Sequence, residues 1–170
     1  FQGYGYANKL TNEEIRKATL DGRIPSAVVD SGATTTCMKI GEEQMQESEC
    51  GKFKWKGLSF EKTGEQSDKL FAMALGHVAP GAEVVNVALP LRKEAREGHT
   101  IKESKNNLFS INKLVQADYI PIFNKDTFDI YDAKNTVVTV LRRAVCRGYT
   151  DKRAQLRRLP LINKSGTEEW

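Results

Sequence analysis

An aspartate that closes an apolar run is the residue best placed to do chemistry here: Ile24-Pro25-Ser26-Ala27-Val28-Val29 leads into Asp30-Ser31-Gly32-Ala33-Thr34. A carboxylate at the end of a buried strand loses solvation, so its charge must be used or stabilised where it stands. The residues that follow suit a carboxylate-presenting turn. Ser31 offers a hydroxyl able to hydrogen-bond across a symmetric partner, Gly32 permits a tight turn without a Cβ, and Ala33 and Thr34 keep the bulk small. Asp-Ser-Gly is also an ordinary turn tripeptide. The strand before it and the Ala-Thr after it favour the chemical reading.

Two carboxylates that share a proton can hydrolyse a peptide bond, one taking a proton from water while the other donates to the carbonyl oxygen. No second Asp in the chain is followed by Ser-Gly or Thr-Gly: Asp126-Thr127 continues into Phe128, and Asp21-Gly22 lacks the hydroxyl residue. The second acid is therefore expected from another copy of Asp30 across a two-fold axis.

The elements around this turn read as follows. Thr11 with Glu14 has capping-box spacing ahead of Ile15, Ala18 and Leu20, which predicts a short helix ending before Gly22. The apolar run to Val29 predicts a buried strand. From Glu42 to Gly64 the chain is polar and punctuated by glycine, a loop with one strand pair. The runs 70–74 and 82–89 flank Gly76-His77-Val78-Ala79-Pro80-Gly81, which reads as a hairpin with a glycine-bearing turn. Leu108, Ile111, Leu114 and Val115 are spaced for a short helix after residue 110. Three β-rich runs, 119–123, 127–131 and 136–141, are separated by turn compositions and predict a meander.

Composition narrows the classes. With 39% hydrophobic and 28% charged residues in 170, the chain reads as one soluble globular core plus tails, and no apolar run approaches a membrane span, which excludes a membrane partner. It begins with Phe, with no secretory signal pattern, and so reads as cut from a longer chain. Cys37, Cys50 and Cys146 form no Cys-x-x-Cys pair, and His77 and His99 lack ligand spacing, so neither a disulfide framework nor a metal or other cofactor is expected, and the compartment is expected to be reducing. Net charge is +4, but Arg142, Arg143, Arg147, Lys152, Arg153, Arg157, Arg158 and Lys164 crowd the C-terminal quarter. Such a cluster is either a solvated basic tail or a nucleic-acid contact.

Val28-Val29-Asp30-Ser31-Gly32-Ala33-Thr34 resembles the protease signature of copia-type retrotransposon Pol polyproteins, a retropepsin-like family. Further matches follow in order: Ser67-Asp68-Lys69-Leu70-Phe71 with Gly76 resembles the approach to that family's flap, and 106–114 resembles its Asn-Leu-Leu-Ser-Val-x-x-Leu block. The segments 144–149 and 156–161 also look like family sequence, so the resemblance covers about residues 26–162. Ser110 stands where retropepsins carry a glycine before a helix, as is common in the copia branch. Cys37-Met38 replaces the usual His-Met, and Leu75-Gly76-His77 the more familiar Asp-Gly.

The resemblance implies an all-β fold with short helices, a closed barrel-like acid-protease protomer acting as a homodimer. The expected organisation is an N-terminal leader with a short helix (1–25), a retropepsin-like domain (26–141) and a basic C-terminal extension (142–170). Asp30 would be catalytic, Ser31, Gly32, Ala33 and Thr34 would support it, and Gly76, His77, Val78 and Gly81 would form a flap over the substrate. The implied activity is cleavage of a Gag-Pol-type polyprotein or another peptide substrate, in the cytoplasm or a virus-like particle. The competing reading is a retropepsin fold kept as a dimerisation or interaction module with weak or absent catalysis. A third, nucleic-acid binding, rests on the basic cluster alone, which has only Tyr149 to offer as a stacking partner.

Overall fold

The computed structural model describes residues 11–40, 59–73 and 76–162, and the backbone of 46–50 and 53–57. The chain is mostly β with a few short helices. In order it forms α1 (Asn12–Leu20), β1 (Val28–Asp30), β2 (Thr36–Lys39), β3 (Gln46–Cys50), β4 (Phe53–Gly57), β5 (Phe60–Gln66), β6 (Leu70–Ala72), β7 (Val78–Pro80) and β8 (Glu83–Val87). It continues through α2 (Lys93–Arg96), β9 (Glu97–Ile101), β10 (Leu108–Ser110), α3 (Ile111–Gln116), β11 (Tyr119–Phe123), β12 (Phe128–Asp132), β13 (Tyr149–Asp151) and β14 (Leu156–Arg158).

α1 starts at the expected capping box, and α3 follows residue 110 as the apolar spacing implies, starting on a serine cap that was not among the sequence signals. Thr11 caps α1, its Oγ1 accepting from the Glu14 amide at 3.1 Å, and Ser110 caps α3 by accepting from the Lys113 amide at 3.3 Å. The apolar run before Asp30 differs from expectation. Only Val28–Asp30 is strand, and Val28 is 56% exposed, so the acid ends a short, half-buried strand rather than a buried one.

Six strands form one sheet in the order β1-β10-β2-β9-β8-β5. β10 runs parallel to β1 and antiparallel to β2, so the strand of the Leu108 block lies between two strands that are consecutive in sequence. The loop 31–35 has to bridge across its end. β2 pairs in parallel with β9, and β9, β8 and β5 continue antiparallel.

The expected closed barrel does not form among the described residues. β1 and β5 are the two edges of the six-stranded sheet, and the strands that could extend it pair with each other as β3–β4, β6–β7, β11–β12 and β13–β14. The expected meander is also shorter: β11 and β12 pair over five positions, but 136–141 is not a strand. Its β-branched residues favour extended backbone, yet no sheet edge meets them, and Val137 and Leu141 are 91% and 87% exposed.

Alternation along β2 divides the core. Met38 joins Phe60, Val85 and Val87 on one face, whereas Cys37 joins Ile101 and Ala79 with Phe71, Met73 and Leu108. A third cluster, Ala95, Phe109, Leu114, Ala117 and Tyr119, packs α2 and α3 against the sheet, and Leu89 touches both it and the Met38 group. Burial of a residue such as Phe60 or Leu114 contributes about 1.5–3 kcal/mol. Arg92 fastens the far end of α3: its amide donates to Tyr119 Oη at 2.9 Å, its guanidinium lies 4.0 Å over the Tyr119 ring, and its nitrogens donate to Ala117 O, Asp118 O and Asp132 Oδ2. Asp132 is thereby held below the usual carboxylate range, first by the Lys134 amide and then by Arg92.

Candidate functional site

Asp30 ends β1 directly beside Ser110, its register partner at the end of β10. The side chain is half-buried, and its Oδ1 accepts from the Gly32 amide at 2.8 Å, the turn bond that the Asp-Ser-Gly sequence implies. A Cβ on Gly32 would come within 3.3 Å of that oxygen, so a larger residue would crowd the carboxylate.

The loop carrying the acid is held from below. Ser110 Oγ donates to Ala33 O at 2.6 Å, and the Ser110 amide donates to Thr36 Oγ1 at 3.0 Å, so one buried serine secures both ends of the bridge over β10. A glycine here would leave Ala33 O without that donor. Asn112, 4% exposed, adds a second donor to Ala33 O at 3.2 Å and uses the same amide nitrogen on Gln155 O at 2.8 Å. Its oxygen accepts from Arg157 Nη1 at 2.6 Å. Thus the β13–β14 hairpin is joined to the loop through one side chain.

A cleft of about 870 Å³ opens in front of Asp30. Gly32, Ala33, Thr34 and Thr35 form its floor with Cys37, Ile101 and Leu108; residues 69–73 and His77 form one wall, and 103–106 with Lys113, Gln116 and Gln155 the other. Burial, and then the charge of Asp30, push the Cys37 thiol up to about 11, which disfavours the reactive thiolate. Among the described residues no group of three or more His, Cys, Asp or Glu is arranged to hold a metal ion.

The hairpin beside the cleft corrects the sequence reading. β6 pairs with β7, Leu70 opposite Pro80, while the run 82–89 supplies β8, which pairs with β5 and β9 in the main sheet. The turn is at Gly76, whose φ of +86° suits glycine, and the Met73 amide donates to His77 O at 2.8 Å across it. Pro80-Gly81 lies instead at the hairpin's root. A Cβ on Gly81 would overlap Ser67 Oγ and come within 3.0 Å of the Phe71 ring, so glycine here lets the two strands leave the sheet together.

Of the four residues expected at the flap, His77 lines the cleft and lies 3.5 Å from Glu103, which links hairpin to opposite wall. Gly76 makes the turn, Val78 begins β7 with 59% exposure, and Gly81 is at the root. Ser31 and Thr34 are exposed beside Asp30. Several residues at the site had no local signal in the sequence: Asn112, Gln155, Glu103, Lys69, Lys105 and Lys113. The pointers were two segments of the family resemblance: the Leu108 block carries Asn112 and Lys113, and Ser67-Asp68-Lys69-Leu70-Phe71 carries Lys69.

Beneath the hairpin, His99 is 3% exposed, Nδ1 lies 2.7 Å from Ser67 Oγ, and its ring sits 5.5 Å from that of Phe71. Its Nε2 is buried with no partner. Burial, then Lys69, hold the imidazole below the usual histidine value; Lys113 adds in the same direction, while Glu97 and Asp68 oppose.

Compared with known protein families, curated proteins and solved structures, the chain matches none. Among the described residues, no helix is long and apolar enough to cross a membrane.

Proposed function

We propose that this chain is an aspartic endopeptidase of the retropepsin type, the protease of a copia-like Pol polyprotein, active as a homodimer. The observation that carries the reading is the position of Asp30: a carboxylate at a strand end, in a loop fastened by Ser110, on the floor of a cleft with a β-hairpin beside it. The sequence resemblance over about residues 26–162 supports the same reading.

In this mechanism the two Asp30 carboxylates of the dimer share one proton. The ionised one takes a proton from water as the oxygen bonds to the scissile carbonyl carbon, and the protonated one donates to the carbonyl oxygen. Collapse of the tetrahedral species breaks the C–N bond, and the amine leaves with a proton returned from the dyad. Because only one Asp-Ser-Gly is present, the second acid must come from another copy. The exposed Val137, Val140, Leu141 and Val145 suit burial against that copy.

The deciding experiment is Asp30→Asn, which keeps the shape and removes the exchangeable proton, a contribution on the order of 10²–10⁴ in rate. Peptide cleavage should fall by at least that factor with the urea midpoint nearly unchanged. Cleavage at the wild-type rate would exclude Asp30 as the catalytic acid.

A further inference from the structure

The charge in the cleft is lopsided. Its carboxylates are Asp30 and Glu103, and Glu103 faces His77 at 3.5 Å. Its lysines are Lys69, at the root of the hairpin, Lys105, in the loop between β9 and β10, and Lys113, on α3. None of the three is ion-paired among the described residues. They come from three separate elements and converge on one concavity that also holds the acid. A solvated lysine face on one helix or strand would not have this arrangement. Low-dielectric walls concentrate the field of such a set inside a cleft. Beneath the hairpin, next to burial, Lys69 and Lys113 both oppose protonation of His99, against the weaker pull of Glu97 and Asp68.

We infer that Lys69, Lys105 and Lys113 make the cleft selective for peptides that carry an acidic side chain close to the scissile bond. The inference rests on the peptidase reading and adds the substrate class to it. A glutamate on the bound peptide supplies the anion that the three ammonium groups lack, whereas a lysine in its place meets like charge on either wall of the cleft. Discrimination between the two comes as much from repulsion of the wrong peptide as from attraction of the right one. Lys113 is the most sequestered of the three, being half-buried where Lys69 and Lys105 are exposed, so its charge is the least screened by solvent.

The test uses a fluorogenic peptide set in which Glu, Gln or Lys is placed in turn at each position flanking the scissile bond. The wild-type chain should show kcat/KM in the order Glu, Gln, Lys, with about tenfold between Glu and Gln at the best position, equivalent to ~1.4 kcal/mol. That ratio should shrink towards one in about 1 M salt, where the Debye length is about 3 Å. It should also collapse in Lys69→Gln/Lys105→Gln/Lys113→Gln, but not in Lys125→Gln, which removes an exposed charge from the β11–β12 turn. Binding of the same peptides to the Asp30→Asn chain, followed by fluorescence anisotropy, reads the preference without catalysis. Acid preference in binding with no cleavage by the wild type would sink the peptidase reading and leave the acidic-peptide cleft standing. Equal treatment of Glu and Lys peptides in binding, or a preference for Lys, overturns the inference whatever the cleavage result.

Discussion

Arg157 Nη1 donates a 2.6 Å hydrogen bond to Asn112 Oδ1, and so a strand from the basic C-terminal stretch reaches the helix that supports the acid-bearing loop. The other end of the same amide holds Ala33 O and Gln155 O, and Gln155 adopts a φ of +56° while lining the cleft. Replacement of Asn112 by Ala removes the second donor to Ala33 O and the only acceptor for this bond. Loss of a buried hydrogen-bonding group of this kind costs about 1–3 kcal/mol. Urea unfolding of Asn112→Ala should show that loss. Its kcat should fall further than its KM changes, because the loop that aims Asp30 is loosened, and Arg157→Met should reproduce part of the kcat effect. An Asn112→Ala chain with wild-type kcat would show that the C-terminal hairpin does not govern the loop.

Gly81 separates the hairpin from the main sheet with no room for a side chain. Its amide donates to Lys69 O at 2.9 Å, and the Ala82 amide donates to Thr100 O at 2.8 Å, so the root is fixed on both sides. Gly81→Ala should therefore lose about 1–3 kcal/mol through overpacking against Ser67 and Phe71. Gly76→Ala strains the turn through its positive φ but meets no neighbour, and should cost less than Gly81→Ala. Equal unfolding midpoints for the two variants would contradict this account of the root.

What could be read from the sequence was what short-range chemistry dictates. Thr11 acts on an amide three residues away and Asp30 on an amide two residues away, so that cap and that turn are written in adjacent residues. Partner choice was not so written. The run 82–89 reads as a strand, but nothing within it says that it pairs with β5 and β9 instead of β6. The run 136–141 has strand composition but pairs with no strand among the described residues. Arg92 collects acceptors 25–40 positions away, and the cleft lysines come from three elements, so both groupings exist only once the chain has folded.

Dimerisation through the exposed apolar stretch gives a concentration signature. Specific activity should fall on dilution, since only the associated form has two acids and assembly follows mass action. Leu141 is 87% exposed, so Leu141→Asp should leave the monomer's unfolding almost unchanged. Burial of such a leucine is worth about 1.5–3 kcal/mol, and because the homodimer loses both copies the dilution curve should move to concentrations about 10²–10⁴-fold higher. Sedimentation velocity run alongside the assay checks the species present. Constant activity per chain where only monomer sediments would exclude the shared dyad.

His99 makes the fold sensitive to mild acid through a single buried ring. The folded chain holds this imidazole below its ordinary value, with burial the main cause and Lys69 the next. As pH falls through the ordinary histidine value of about 6.5, the unfolded chain takes up a proton that the folded chain resists, so the unfolded state is favoured. The contribution to stability is complete above that value and is lost as pH falls towards the folded one, with a slope no steeper than ~1.4 kcal/mol per pH unit for one group. The charged ring carries an N–H on both nitrogens, so Ser67 must accept at Nδ1 while the Nε2 N–H stays buried with no acceptor, beside Phe71 at the foot of the hairpin. Urea midpoints of the wild type should therefore drop more steeply between about pH 7.5 and 5.5 than those of His99→Gln, which carries no titrating ring across the ordinary histidine range. Exchange at the Gly81 amide, corrected for its intrinsic pH dependence, should quicken over the same interval in the wild type as the hairpin root loosens. Parallel midpoints for the two chains would show that His99 titrates alike in the folded and unfolded states and has no part in the acid response.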